Sequence, residues 1–244
     1  YDGTLNLDGT RYMIIPNSEE FNIAAGGKLT VSLKAKISSN AMQTFISNRV
    51  RRYENSNNND VSGWAIYNVP GTTSTSFNYP GSSWTARHHN PSGISTGEWH
   101  HLCWVYSGSS SAFYVDGVAV SNPPAVNNSP IPSYCDILVG AGYTMTDHTK
   151  FSIENLNNFV NGNIDDVRIY GDALSSSEVA QDKEATAPLS DKNIIAAYDF
   201  AEIKGIHVTD ISGNGHTGEL VNFPTAAETY LLTIETPEST KGTL

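Results

Sequence analysis

Between Leu29 and Ile37 the chain alternates strictly, with Leu29, Val31, Leu33, Ala35 and Ile37 at one set of positions and Thr30, Ser32, Lys34 and Lys36 at the other. A period of two predicts a strand with one face in a core and one toward water. Trp99 to Tyr106 is rich in aromatic and β-branched residues and predicts a second strand. Residues 107–111, all Ser and Gly, form a polar turn, and Ala112 to Val115 a third strand. Asp116-Gly117 then separates Phe113-Tyr114-Val115 from Val118-Ala119-Val120, the pattern of a type I′ hairpin, which needs positive φ at both central residues. The resulting antiparallel meander requires a second sheet to cover its apolar face.

Shorter segments fill in the plan. One or two strands are expected in Tyr1 to Pro16 around Asp8-Gly9, with others at Thr44 to Ser47, Gly63 to Asn68 and Asp136 to Gly140. Asn48 to Asp60 and Pro70 to Gly97 read as long loops, Asn122 to Pro132 as a Pro-rich loop, and Tyr143 to Phe159 as an irregular insertion. Ser175-Ser176-Ser177-Glu178 is a capping box, which predicts a helix of about two turns starting near Ser176. Lys183 to Asn193 reads as a linker.

Three pieces carry a family resemblance. Gly97-Glu98-Trp99-His100-His101, followed by an apolar strand, a Ser/Gly turn and Phe113-Tyr114-Val115-Asp116-Gly117, resembles the signature of laminin-G-like domains in the concanavalin A-like lectin/glucanase superfamily. Gly162 to Tyr170, with Ala173-Leu174-Ser175 and Glu178-Val179, resembles their last strand and short helix, and Leu5 to Thr10 with Met13 to Pro16 their early strand. The resemblance covers roughly residues 1 to 185. It implies an all-β fold, a two-sheet antiparallel jelly-roll sandwich of concanavalin A-like type, with one short helix near 176–184. Ile194 to Phe200 and Asp210 to His216 resemble the family's opening, placed at the wrong end. The reading is one domain over 1–244 in which 194–220 supply that opening strand, as in a circular permutation; a second, truncated domain is the alternative, for which the tail is short.

Composition narrows the partners. Charged residues are 16%, and 14 Lys and Arg against 25 Asp and Glu leave a net charge of −11. That argues against nucleic acid and anionic membrane surfaces, and no stretch approaches the ~20 apolar residues of a membrane span. The chain opens at Tyr1 without Met and is read as a trimmed part of an exported protein: secreted, periplasmic or cell-surface. Spacing leaves Cys103 and Cys135 open between one disulfide and two buried thiols.

The superfamily's glucanases carry Glu-x-Asp-x-x-Glu on one strand, and that motif is absent here. Asp165 and Asp166 are adjacent, so on a regular strand they point to opposite faces. The same alternation assigns His100-His101 to the sheet and keeps them from chelating one ion together. Trp99 and Trp104 are expected to pack in or against the sandwich. The reading is therefore a non-catalytic carbohydrate-binding module, with a glycoside-degrading enzyme as the parent it would be appended to, and with an extracellular protein-binding module and a diverged glycosidase as alternatives. Glycan contacts are expected from Arg51, Arg52, Tyr53, Trp64, Tyr79, Trp84, His88 and His89, because aromatic rings suit the apolar faces of sugars and Arg suits a sugar carboxylate. The resemblance further implies a structural calcium ion, for which the matching residues are Asp8, Asp165 and Asp166.

Overall fold

A computed structural model describes residues 3–23, 27–51, 61–77, 86–120, 132–133, 135–143 and 156–224. Its first half contains β1 (Leu5–Asp8), β2 (Tyr12–Ile15), β3 (Leu29–Ile37), β4 (Gln43–Ser47), β5 (Val50–Arg51), β6 (Val61–Ser62), β7 (Trp64–Val69), β8 (Thr72–Phe77), β9 (Ala86–Asn90), β10 (His100–Tyr106), β11 (Ser111–Val115) and β12 (Val118–Val120). The second half contains β13 (Ile137–Val139), β14 (Gly142–Tyr143), β15 (Leu156–Asn157), β16 (Asn161–Tyr170), α1 (Ser176–Glu184), β17 (Ile194–Tyr198), β18 (Ile203–Lys204), β19 (His207–Val208) and β20 (Gly218–Val221). Two antiparallel sheets face each other. One has the order β1-β16-β3-β10-β11-β12 with β17 also on β16, and the other the order β18-β19-β20-β2-β13-β4-β7-β8-β9. Their inner faces share one core that runs from Leu5 to Leu220 and includes Phe45, Trp64, Trp104 and Phe113.

The local signals act as their chemistry dictates. Asp116 and Gly117 both take positive φ, 53° and 80°, and close the β11–β12 hairpin. The Ser175 side chain accepts from the Glu178 amide while the Glu178 carboxylate accepts from the Ser175 amide, so the capping box starts the nine-residue helix α1. The alternation of β3 puts Leu29, Val31, Leu33, Ala35 and Ile37 in the core. Its outward Thr30 and Ser32 are buried as well, because α1 and its approach lie on them: Thr30 Oγ1 donates to the Asp172 carbonyl and Ser32 Oγ to Asp182.

Asp182 pins the helix. It is fully buried, and its carboxylate accepts from Tyr170 OH at 2.6 Å, Ser32 Oγ at 2.7 Å, Arg168 Nη1 at 3.0 Å and His101 Nε2 at 3.2 Å. Burial pushes its pKa up, but these donors and the Arg168 charge outweigh it and hold the carboxyl well below its ordinary range. Arg168 continues to Asp166 at 2.8 Å, and Asp166 to Lys34 at 2.7 Å.

Three expectations are corrected and one open choice, that of the cysteines, is settled. Residues 70–97 are not all loop: Thr72–Phe77 and Ala86–Asn90 are strands. Thr73 and Thr75 are buried, and Thr75 Oγ1 donates to the Ala65 carbonyl, so hydroxyl-bearing residues satisfy themselves within the sheet. Asp165 and Asp166 do not obey strand alternation. Asp166 has φ 47°, and between the pairs Asp165↔Lys34 and Arg168↔Ser32 two residues of β16, Asp166 and Val167, stand against the single Leu33 of β3. This bulge places Ile164 and Val167 inward and leaves both acids on the outer face. Trp104 is buried, but Trp99 is 42% exposed at the rim. Cys103 and Cys135 are both buried and free, and burial raises both thiols, Cys135 to about 11.

The tail contributes to both sheets. β3 takes one edge of β16; β1 pairs with residues 161–164 on the other edge and β17 with 167–170, end to end. β20 pairs with β2 in the second sheet. Asp210 locks the intervening loop, accepting from the amides of Ala197, Ser212 and His216 at 2.9–3.0 Å. Among the described residues no helix is long and apolar enough to cross a membrane.

Candidate functional site

The β7–β8 ladder runs from Val69↔Thr72 to Trp64↔Phe77. At the Trp64 end, β5 and β6 form the stem of residues 52–60, and β8 and β9 the stem of 78–85. Both connections therefore leave the same end of the nine-stranded sheet. The junction between β6 and β7 is tight. Gly63 has φ 75°, and a Cβ there would meet the Asn48 carbonyl oxygen at 2.4 Å, so only glycine fits. Asn48 is fully buried: its amide donates to the Trp64 carbonyl at 3.1 Å and its Oδ1 accepts the Trp64 amide at 2.9 Å. Ser133 Oγ donates to the Asn48 carbonyl at 2.6 Å. The stem is thus fixed by buried side-chain bonds to backbone groups.

Beside this end, on the outer face of the nine-stranded sheet, lies a depression of about 90 Å³. Its floor is small, made of Thr44, Ser47 and Ala65, and its walls are Tyr67, Arg49 and Tyr143. Cross-strand pairing explains the grouping: Ser47 stands opposite Ala65 and Thr44 opposite Tyr67. Met42 at the margin is 51% exposed. The neighbouring part of this face is covered by β14 and β15 over an apolar cluster of Tyr12, Leu138 and Ala141. Burial raises the Tyr143 hydroxyl far above its ordinary range, and that hydroxyl donates to the Asp136 carbonyl at 3.1 Å.

The expected glycan residues divide as follows. Arg52, Tyr53, Tyr79 and Trp84 lie outside the described residues, on the two connections whose stems converge. Arg51, His88 and His89 are described as strand positions, with Arg51 opposite Val61, His88 opposite Thr75 and His89 opposite Ser74. Trp64 is not a surface platform. It is 2% exposed and packs against Trp104 with ring centroids 6.0 Å apart, because its strand parity points into the sandwich. Tyr67, Arg49 and Tyr143 were missed; the spacing of Trp64 and Tyr67 on one strand, which places them on opposite faces, was the available signal for Tyr67.

The expected calcium ligands do not form one site. Asp8 pairs with Asn161, four positions along β16 from Asp165, which separates them by roughly 14 Å. Asp8 caps its own turn: Oδ1 accepts from the Thr10 amide and hydroxyl at 3.0 and 2.7 Å, and Oδ2 pairs with Arg11 at 3.1 Å. Those donors hold its pKa down, the Thr10 hydroxyl most strongly. Asp166 is taken by Lys34 and Arg168. Among the described residues, no group of three or more His, Cys, Asp or Glu side chains is arranged to hold a metal ion.

Comparison with known proteins gives a family and a fold. Residues 7–180 match the Laminin_G_3 model of the concanavalin A-like lectin/glucanases superfamily. A candidate carbohydrate-binding protein of Bacteroides ovatus superposes with a TM-score of 0.57 at 11% identity, over 88% of this chain and 58% of that one. The CBM40 of Ruminococcus gnavus IT-sialidase gives 0.55 at 13%, over 73% and 95%. Domain 4 of AbnA, a GH43 extracellular arabinanase of Geobacillus stearothermophilus, gives 0.52 at 20%, over 74% and 76%. At these identities the likeness is one of fold. A curated relative, the N,N-dimethylformamidase beta subunit of Paracoccus aminophilus, is 41% identical over 75 residues, which span 28% of this chain and only 10% of that one. With 7–180 of its 244 residues matched, the chain belongs to the concanavalin A-like lectin/glucanases superfamily.

Proposed function

We propose that this chain is a non-catalytic carbohydrate-binding module, exported as part of a glycoside-degrading protein, that takes its glycan at the Trp64–Phe77 end of the nine-stranded sheet. The observation that carries the reading is the convergence of the stems of 52–60 and 78–85, since these connections hold Arg52, Tyr53, Tyr79 and Trp84. The depression beside that end adds a ring and a planar donor, Tyr67 and Arg49, the residue types that stack on a sugar and bond its rim. Arg51 and Arg52 add bidentate donors suited to an acidic sugar. The fold neighbours support the ligand class: the sialidase module is known bound to α2,3-sialyllactose and the arabinanase domain in complex with arabinotriose. Catalysis is not part of the reading, because Asp166, the partner that a carboxylate pair would need beside Asp165, is neutralised by two cations.

A glycan array on the intact chain tests it. A specific set of glycans should bind, and Trp84→Ala and Tyr53→Ala, once shown to melt as the parent does, should weaken the best hit by about tenfold each. Binding unchanged in both variants moves the site elsewhere. An empty array with capture of an extracellular protein replaces the reading with an adhesive module, and turnover of a glycan replaces it with a glycosidase.

A further inference from the structure

On the opposite side of the sandwich, the outer face of the seven-stranded sheet is only half covered by α1. The covered half holds Cys103, Val105, Tyr114 and Tyr170. The other half is a cavity of about 430 Å³, within the range of small-molecule sites. Its floor follows from register. Asp165 on β16 stands opposite Lys34 on β3, and Lys34 opposite His101 on β10. Asp116, in the β11–β12 turn, closes the row by accepting the His101 amide at 2.9 Å and His100 Nδ1 at 2.8 Å. Lys183 and Glu184, at the end of α1, form one wall, and Trp99 lies on the rim.

Three features of this cavity are unused by the fold. Trp99 is 42% exposed although it immediately precedes a core strand. His101 is 4% exposed and its Nε2 is bonded to Asp182, yet its Nδ1 is buried with no partner among the described residues. Asp165 accepts the Asp166 amide at 2.7 Å through Oδ1, and its Oδ2 takes no hydrogen bond from the described residues. Burial, reinforced by the Asp166 charge, raises the Asp165 pKa to about 6, so below that pH the group also offers a donor.

We propose that this cavity is a second carbohydrate site, specific for a neutral sugar of one or two rings, on the face opposite the site described above. Trp99 supplies the stacking surface. Asp165 and Asp116 supply acceptors and Lys34 a donor. The lining carries two lysines against three carboxylates. That near balance gives an anionic or cationic ligand no field to follow and suits hydroxyl groups, which both donate and accept. The inference shares only its ligand class with the reading above, and the two are separable because they use opposite sheets.

The test titrates the intact ¹⁵N-labelled chain with maltose, cellobiose, lactose and xylobiose, and in parallel with 3′-sialyllactose, following the indole N–H signals. The Trp99 signal is identified by its loss in Trp99→Phe. At least one neutral disaccharide should move that signal, and Trp99→Ala and Asp165→Asn should each weaken its binding by about tenfold, while Tyr67→Ala and Trp84→Ala leave it unchanged. No shift of the Trp99 signal with any neutral disaccharide overturns the proposal even if sialyllactose binds. A shift abolished by Tyr67→Ala also overturns it. Neutral-sugar binding lost in Trp99→Ala, with an otherwise silent nine-stranded face, upholds this site and defeats the placement at the Trp64–Phe77 end.

Discussion

Over the seven-stranded sheet the cover is a helix held by charge: Asp182, on the buried side of α1, accepts from Ser32, His101, Arg168 and Tyr170. Over the nine-stranded sheet the cover is the two-stranded ladder β14–β15, held by apolar contact. Tyr12, Leu138 and Ala141 form its base, and Phe159 packs on Tyr12 at 5.9 Å between ring centroids. The first kind of cover is directional. Its donors must sit where the carboxylate needs them, and losing one partner leaves a buried charge exposed to a low dielectric. The second is adaptable, and its strength follows area. Each cover stops short of its sheet's full width, and each leaves a concavity at its margin, one charged and one floored by small residues.

The largest effect is expected from removing what ties the two faces together. Ending the chain at 185 deletes β17, which shares an edge of β16 with β1, and β20, which pairs with β2. The fragment should aggregate or fail to fold, by the exposed edges and apolar surface left behind. A soluble 1–185 fragment with a cooperative melt would instead make residues 194–220 an accessory rather than the sandwich's own opening strand.

Asp182→Ala comes next. It should destabilise by about 3–5 kcal/mol in denaturant unfolding at pH 7, because Arg168 and His101 lose their common partner inside the protein. The folded pKa of Asp182 lies below its unfolded value, so its contribution is present above about pH 4 and fades as pH falls through the lower range. The gap between parent and variant should therefore narrow on acidification. Leu138→Ala, in the base beneath the apolar cover, should cost about 2–4 kcal/mol with no such pH dependence. Equal pH dependence for both variants would erase the contrast between the two faces.

The smallest effect sharpens the charged margin. Asp165 is half-buried and its folded pKa, about 6, lies above the unfolded value of 3.8. Its favourable share is thus complete below the unfolded pKa and is lost as pH rises through about 6. Asp165→Asn should raise the melting temperature above pH 6 and leave it unchanged near pH 4, by an amount worth about 1 kcal/mol after solvent screening of a half-exposed group. A variant less stable at pH 8 than the parent would contradict the assigned direction.

What could be read from the sequence tracks how local each determinant is. The Asp116-Gly117 turn and the Ser175–Glu178 box are complete within four residues, and the alternation of β3 declares its inward face within nine. The helix cover is non-local: Val179 and Asp182 are the buried pair of α1, and nothing near Asp182 announces that Arg168, Tyr170, His101 and Ser32 will converge on it. The Asp165–Asp166 bulge brings two adjacent acids onto one face without a glycine to mark it. Thr72–Phe77 was hidden by its Ser and Thr content, since hydroxyls bonded within a sheet carry the same letters as hydroxyls in a loop. For the candidate site, strand parity separates Trp64 from Tyr67: the ring that looked prominent in the sequence is the one inside, and Tyr67 lines the outer depression.

Hydrogen–deuterium exchange of the intact chain, with and without its strongest array glycan, tests the placement of the site most directly. Slower exchange in peptides spanning 43–51 and 61–77 is the predicted result, since a glycan held at the Trp64–Phe77 end would restrain β5, β6, β7 and β8. Unchanged exchange there, with protection confined to 99–116 and 176–185, would contradict the account and move the principal site to the helix-bearing face.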